Sequence, residues 1–591
     1  MRIPSLFLRA SLHVLCVLPV FLAAPGSSQS QPTQPDREAF TITRWQLDLR
    51  IAPADGTLAA NGTLTLRNDS LVPQSQAVLQ ISSTLRWNSI TIGGTPAEFK
   101  RSELRSDFDH TGSLSEAVIA LPHAVAPQGT IEMEVDYAGT IPLDARRLTE
   151  TSSGRIPLAV AEASDWDRIS NEYTIVRGAG YVAWYPIALE PDSLAWAQRF
   201  FEHLGAWRQR HAASRLSIDV CVNALVPAGF TVIASGKPRP AAASSSGRSK
   251  CVGFDFDLAN DRVPVLAAAL FGVAEREHAT AYYLGSRPTA LDVLAAFETA
   301  EQTLAAWSPA VFTPREKSAM VQLPGAHIAA FESGPFLTTP FDASDKLLLQ
   351  TNAARQIAHA SFASPRLWID EGVAQFAQVL IHEHAAGRKA ALAFMNTRTP
   401  ILAQVEDSLL QSDDELRGDP LVLSRNDVLT RLKGMFVWSM LRDMAGDAAL
   451  QRALAAYRAA DDKEPSYIQR LLEHESQVGG KRVDLEWFFD DWIYRDRGLP
   501  AFKIAEVKVR PTLRNSFTVE ATIENSGDAG AEVPVAVTTS AGETEQRVLV
   551  PAGQKVTAHI TVSAQPTSVM VNDGSVPEAD RSDNTWKNEK K

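Results

Sequence analysis

Arg355, Gln356, His359, Asp370 and Glu371 fall within one stretch, RQIAHASFASPRLWIDEG, and these are residue types used in acid–base and metal-assisted hydrolysis. Arg355 and His359 stand four apart, so on a helix they share a face. Glu371 follows His359 after eleven intervening residues, a gap that a short loop between two antiparallel helices can close. Histidine and glutamate are zinc ligands, and a catalytic zinc needs three protein ligands and one open position. The hydrolysis also needs a carboxylate to take the proton of the bound water and a donor for the developing oxyanion. Each candidate has a plainer reading too: His359 as a core histidine, and Glu371 as an acid favoured by a helix N-terminus. Other active-site patterns are missing from the sequence. It has no GxSxG nucleophile elbow, no GxxxxGK[ST] phosphate loop and no HExxH, and its twelve histidines include no pair spaced four apart.

The elements that must position these residues can be read from composition and periodicity. A chain of 591 residues, 45% hydrophobic and 21% charged, is long enough for several cores and has the composition of a globular protein. Residues 1–24 carry Arg2, Arg9 and an apolar run from Leu12 to Ala24, which reads as a secretory signal; residues 25–37 are a Pro/Ser/Gln linker. No later run is apolar enough to cross a membrane, so the expectation is a secreted or periplasmic protein with no transmembrane segment after signal removal. The signal holds two arginines and no acid. Its removal leaves 55 basic against 69 acidic residues, a charge of −14 in place of −12, which speaks against nucleic acid as a partner.

Residues 38–282 show period-two alternation, as in WQLDLRI, with Trp45, Leu47, Leu49 and Ile51 on one face; this predicts a large N-terminal β domain. Within it, DSLAWAQRFFEHLGAW reads as a helical interruption and PRPAAASSSGRSK as a hairpin tip. Cys221 and Cys251 lie in two β-patterned runs, and in an oxidising compartment a disulfide is the expected pairing, with buried free thiols as the alternative. Residues 283–499 switch to helical spacing and end in DLEWFFDDWIYRDRGLP, whose Trp487, Phe488, Trp492 and Ile493 would cap a helical core. Residues 500–578 return to alternation in six or seven strands, an Ig-like β-sandwich, and 579–591 read as a frayed polar tail. The fold class is therefore multidomain α+β.

The segment Arg355–Gln378 resembles the M1 family of zinc aminopeptidases, whose core pairs HExxH with a second helix opening on a Trp, Asn-Glu-Gly-like run. Trp368, Ile369, Asp370, Glu371, Gly372 and Ala374 match that second helix, and His359 matches the second histidine. Arg355 stands at the first histidine position and Gln356 at the general-base position. The stretch MVQLPGAHIAAFESGPFL is similar to the family's GAMEN strand, with Glu332 where the substrate's amino group is held. Aligning RLKGMFVW through Lys433 and Gly434 puts Arg431 at the position of the oxyanion tyrosine. The order of β domain, thermolysin-like helical domain and β-sandwich is also the family's.

The resemblance implies zinc as cofactor, with His359 and Glu371 as retained ligand positions. Arginine has no free lone pair to give a metal, and a glutamine amide is no base near neutral pH. The expectation is therefore a site without zinc, a cleft that retains peptides or protein N-termini as ligands, and no peptidase activity. Arg355 would supply the missing positive charge by pairing with Glu371, shared with Glu332. Two alternatives stand beside it. One is an active zinc aminopeptidase with a remodelled site completed by His327 or another residue; His382 and His384 lie too far along the helix to serve. The other is an interaction protein working through its β domains. Oligomeric state is not legible.

Overall fold

The computed structural model describes residues 35–147, 162–190, 204, 207–208, 210–211, 213–223, 229–241, 249–257, 263–325, 328–342, 344–410, 419–424, 426–480, 483–512 and 516–588. The signal segment, most of the linker and of the helical interruption, the hairpin tip at 242–248 and His327 lie outside these residues.

The alternation of WQLDLRI becomes one face of the strand Phe40–Ala52, with Trp45, Leu47, Leu49 and Ile51 all buried. That strand is central to an eight-stranded sheet, pairing antiparallel with Thr57–Asn68 and parallel with Arg215–Asn223. The next pair, Arg215–Asn223 with Ser249–Asp257, sets Cys221 opposite Cys251, and the two form a disulfide. Two three-stranded sheets complete this part: Gln74–Ser82, Ser113–Val125 and Phe99–Arg105, and Thr231–Ala234, Val265–Ala269 and Thr174–Arg177.

The helical region carries its own five-stranded sheet, in the order Gly272–Glu275, Ala279–Tyr283, Ser318–Leu323, Phe336–Pro340, Phe331–Ser333. Here the expected boundary at residue 283 needs correction. Ala279–Tyr283 pairs with Ser318–Leu323 of the helical region and Gly272–Glu275 pairs with Ala279–Tyr283, and Ala274, Ala279 and Ala281 are buried in its core. Alternation alone marks a strand but not the sheet it joins.

Three helices matter for the site: Lys346–Ser361, with His359 in its last turn; Leu367–Asn396, which carries Glu371; and Asp427–Ala445, which carries Arg431. The Glu371 and Arg431 helices cross at glycine. A Cβ on Gly434 would lie 2.9 Å from Gly372 Cα and 3.1 Å from Trp368 O, and one on Gly372 would lie 2.7 Å from the Trp438 ring. Trp368 and Trp438 stack beside this contact, with ring centroids 5.7 Å apart. Lys433, next to Gly434, is fully buried between Glu406 and Asp496. Burial alone would lower its pKa, but those two carboxylates outweigh burial and raise it.

The final residues form two facing sheets of three and four strands, and one continuous apolar cluster joins them to the helical region through Phe488, Trp492 and Ile493. The tail also needs correction. Thr585–Lys587 pairs with Pro566–Val571, and Asn584 is buried against Glu578, so the sandwich extends through most of the stretch read as frayed.

Because the helix crossing leaves no room for a methyl group, Gly434→Ala should cost about 1–3 kcal/mol in chemical denaturation. Gly446→Ala, where nothing lies within 4 Å of the added atom but φ is +88°, controls for backbone strain alone.

Candidate functional site

Each site helix is fixed locally before it meets its neighbours. Asp345 caps the His359 helix by accepting the Leu348 N–H at 2.8 Å, and Asn426 caps the Arg431 helix by accepting from Val428 and Leu429. The loop of residues 362–366 between the first two helices is tied at both sides. Asp370 accepts the Ser364 N–H at 2.9 Å, and Arg366 donates to Asp462 at 2.8 Å.

These constraints bring Arg355, His359, Asp370, Glu371, Glu332 and Arg431 around one cleft of about 270 Å³. Arg355 Nη2 donates to Glu371 Oε2 at 2.7 Å, and Arg355 Nε lies 3.2 Å from Glu332 Oε2. The second contact is an ion pair whose alignment falls short of a hydrogen bond, leaving both atoms buried and without one. Arg431 reaches Glu371 from the other side, with Nε donating to Oε2 at 3.0 Å and Nη2 to Oε1 at 3.4 Å. His359 turns Nδ1 to Asp370 at 3.4 Å, and its Nε2 stands 3.9 Å from Glu371 and 4.0 Å from Glu332.

Burial by itself would raise the Glu371 pKa, but Arg355, Arg431 and His359 outweigh it and hold the carboxyl well below its usual range. Burial would likewise lower His359, and here the hydrogen bond to Asp370 and the charge of Glu371 prevail and raise it. His359, Asp370, Glu371 and Glu332 are lining residues with acceptor atoms suited to a divalent ion, and the Arg355 guanidinium stands between the two glutamates.

Gln356 is placed elsewhere. It does not line the cleft; it is fully buried and donates from Nε2 to Pro335 O at 2.6 Å and Ala319 O at 3.2 Å, pinning the helix to the five-stranded sheet. His382 bonds Thr351 and stacks on Phe394, and His384 is exposed, both away from the cleft lining.

Sequence reading missed the opposite wall, which comes from the N-terminal region: Tyr181, Arg208 and Val263 line the cleft. Arg177 backs this wall. It pairs with Asp167 at 2.6 Å and stacks on Trp166, Tyr181 and Phe331, the last of these from the edge strand that carries Glu332. These residues are remote in sequence from the site helices, so no local spacing announces them. Asp370 lay within the legible motif, but its role as the partner of His359 depends on the loop geometry.

Solved structures similar to this chain include a substituted M1 zinc metallopeptidase from Deinococcus radiodurans bound to a Tyr-Ser-Ala substrate, at 14% identity and TM-score 0.47, covering 77% of this chain and 94% of that one. The M1 zinc metallopeptidase from the same organism has 15% identity and TM-score 0.44, covering 76% and 94%. A two-domain M1 zinc metallopeptidase bound to L-tryptophan has 15% identity and TM-score 0.46, covering 76% and 96%. Such values are too low to carry a residue's role from those enzymes to this chain. No protein-family model matches the chain, and no curated protein matches it.

Removing the shared carboxylate takes one counter-charge from both Arg355 and Arg431, so Glu371→Gln should lower stability by about 3 kcal/mol in urea unfolding. Gln356→Glu, which turns acceptors toward two carbonyls, should cost about 1–3 kcal/mol. For His359, whose folded pKa is raised, the stabilising charge is complete below its ordinary value of 6.5 and lost as pH rises through the folded value. The stability difference between wild type and His359→Asn should therefore be largest below that pH and shrink above it, read by urea unfolding across a pH series.

Proposed function

We propose that this is a secreted, M1-aminopeptidase-like protein that has exchanged zinc chemistry for an arginine-filled cleft, and that the cleft binds peptides without hydrolysing them. The observation that carries the reading is the Arg355 guanidinium held between Glu332 and Glu371. Two arginines, Arg355 and Arg431, bring the same formal charge that a zinc ion would bring, and Glu371 spends its acceptor capacity on them. This donor set does not suit a metal. Arginine stays protonated and offers no lone pair, and the remaining ligands face a cation already in place.

A glutamine at the general-base position of the resemblance supports the same reading. Gln356 has its amide engaged with backbone carbonyls away from the cleft. Arg431 holds the position of the oxyanion tyrosine in the resemblance, and its guanidinium is engaged with Glu371. The cleft itself remains: its walls come from both the N-terminal and the helical regions, and the edge strand Phe331–Ser333 borders it.

Purified mature protein should carry well under one zinc per chain by elemental analysis and release no chromophore from aminoacyl anilides. One chelator-sensitive zinc per chain with turnover would instead establish an active, remodelled peptidase. Reverting Arg355→His, Gln356→Glu and Arg431→Tyr together tests whether the scaffold holds catalytic geometry, since such groups act as a unit.

A further inference from the structure

We propose that a second cavity, apart from the arginine cleft, takes an extended apolar peptide segment as a fourth strand on the sheet of Thr231–Ala234, Val265–Ala269 and Thr174–Arg177. The cavity has a volume of about 530 Å³ and is lined by that sheet's edge strand, by the strand Ser249–Asp257 and by the five-stranded sheet of the helical region. It adjoins the cleft across one turn: Ser333 and Gly334 line the cleft, Pro335 and Phe336 the cavity. Binding here does not depend on what the arginine cleft holds.

Among the described residues, Thr231–Ala234 is an edge strand whose one neighbour is Val265–Ala269. The direction of its free groups follows from a single bond. Ser235 N–H donates to Val265 O at 3.0 Å, and along an antiparallel pair every second residue bonds the same neighbour. Thr231 and Ile233 therefore turn their backbone groups to Val265–Ala269, while Val232 and Ala234 turn theirs to the open edge. There, among the described residues, neither has a hydrogen-bond partner. The outward row is closed at its start, where Phe230 O accepts from Lys250 Nζ at 3.0 Å. Two donors and two acceptors remain beyond it. They repeat every second residue, which is the spacing that an extended backbone answers.

The space beside this edge has two apolar walls. Val232 packs into the core of the N-terminal sheet with Phe254 and Phe256, and its neighbour Ile233 packs on a separate cluster with Tyr282 and Phe336. All four rings line the cavity. An added strand alternates its side chains between the same two faces as Val232 and Ile233, so each wall would receive one set. A small apolar molecule could fill the walls but would leave the row of backbone groups unanswered. Charge at the rim favours one kind of flanking residue. Lys237 lines the cavity, is exposed and makes no ion pair among the described residues. Asp255, opposite it in register, is engaged by Arg239 at 3.1 Å and Ser217 at 2.6 Å, and the other rim cation, Lys317, pairs with Glu275 at 3.3 Å. An acidic residue beside the apolar run complements Lys237.

The test is calorimetric titration of the full mature chain with the blocked peptide acetyl-Glu-Val-Thr-Val-Thr-Val-amide and with two copies of it, one N-methylated at the valines and one at the threonines. An added strand gives one edge to the protein and the other to water. One methylated copy should therefore bind at least about tenfold more weakly than the parent and the other within about threefold of it. Replacing the peptide's glutamate by lysine should weaken binding, and Lys237→Glu should reverse that preference. Ala234→Pro removes an outward N–H and spares the bonds to Val265–Ala269, so it should abolish binding with little change in melting temperature; if that variant fails to fold, the methylated pair still decides. An equal effect of the two methylations would overturn strand addition. So would a peptide that fails to bind at millimolar concentration, and binding of the apolar dye anilinonaphthalene sulfonate in its place would mark a small-molecule pocket instead.

Discussion

A guanidinium held between two buried carboxylates is the interaction on which the rest of this site depends. Taking Arg355, Glu332 and Glu371 out of water is costly, and the cost is recovered only if each charge meets its opposite at close range. Arg355 does so with both glutamates, Arg431 closes the far side of Glu371, and His359 with Asp370 closes the near side. Every member has a partner on a different element, so the cluster works as a fastener as well as a candidate site.

That fastener needs helices at a fixed separation. The Glu371 and Arg431 helices meet through Gly372 and Gly434, one residue beyond the glutamate and three beyond the arginine. Larger residues would push the helices apart and stretch the ion pair. Lys433 anchors the same turn by burying its charge between Glu406 and Asp496. Small residues set the distance here, and charges use it.

The opposite wall is built by different means. In the N-terminal region Arg147 and Arg177 share Asp165, and Arg177 takes Asp167 as well. With its charge satisfied, the flat face of Arg177 is left to stack against Tyr181 and Phe331, so an aromatic and cationic layer joins the two regions behind the cleft. Trp166 adds a hydrogen bond to Ala329 O across the same boundary at 3.1 Å.

Much of this was legible in the amino-acid sequence. Period-two alternation marked the strand through Trp45 and Ile51, helical spacing marked the helices of His359 and Glu371, and chemical type showed that Arg355 could pair with Glu371 but could not ligate a metal. These are properties of near neighbours in the chain, set by backbone periodicity and side-chain chemistry. Which sheet Gly272–Tyr283 would join, and that Thr585–Lys587 would add a strand to the sandwich, depended on partners remote in sequence. The orientation of Gln356 belongs to the same class. Position four before Ala360 on a helix does not say whether an amide turns to the cleft or to the sheet; the carbonyls of Ala319 and Pro335 decided that. The wall from Tyr181, Arg208 and Val263 likewise depended on residues remote in sequence from the site helices. Sequence determined which groups could carry charge and donate hydrogen bonds, and tertiary structure alone decided which of them would share one desolvated space.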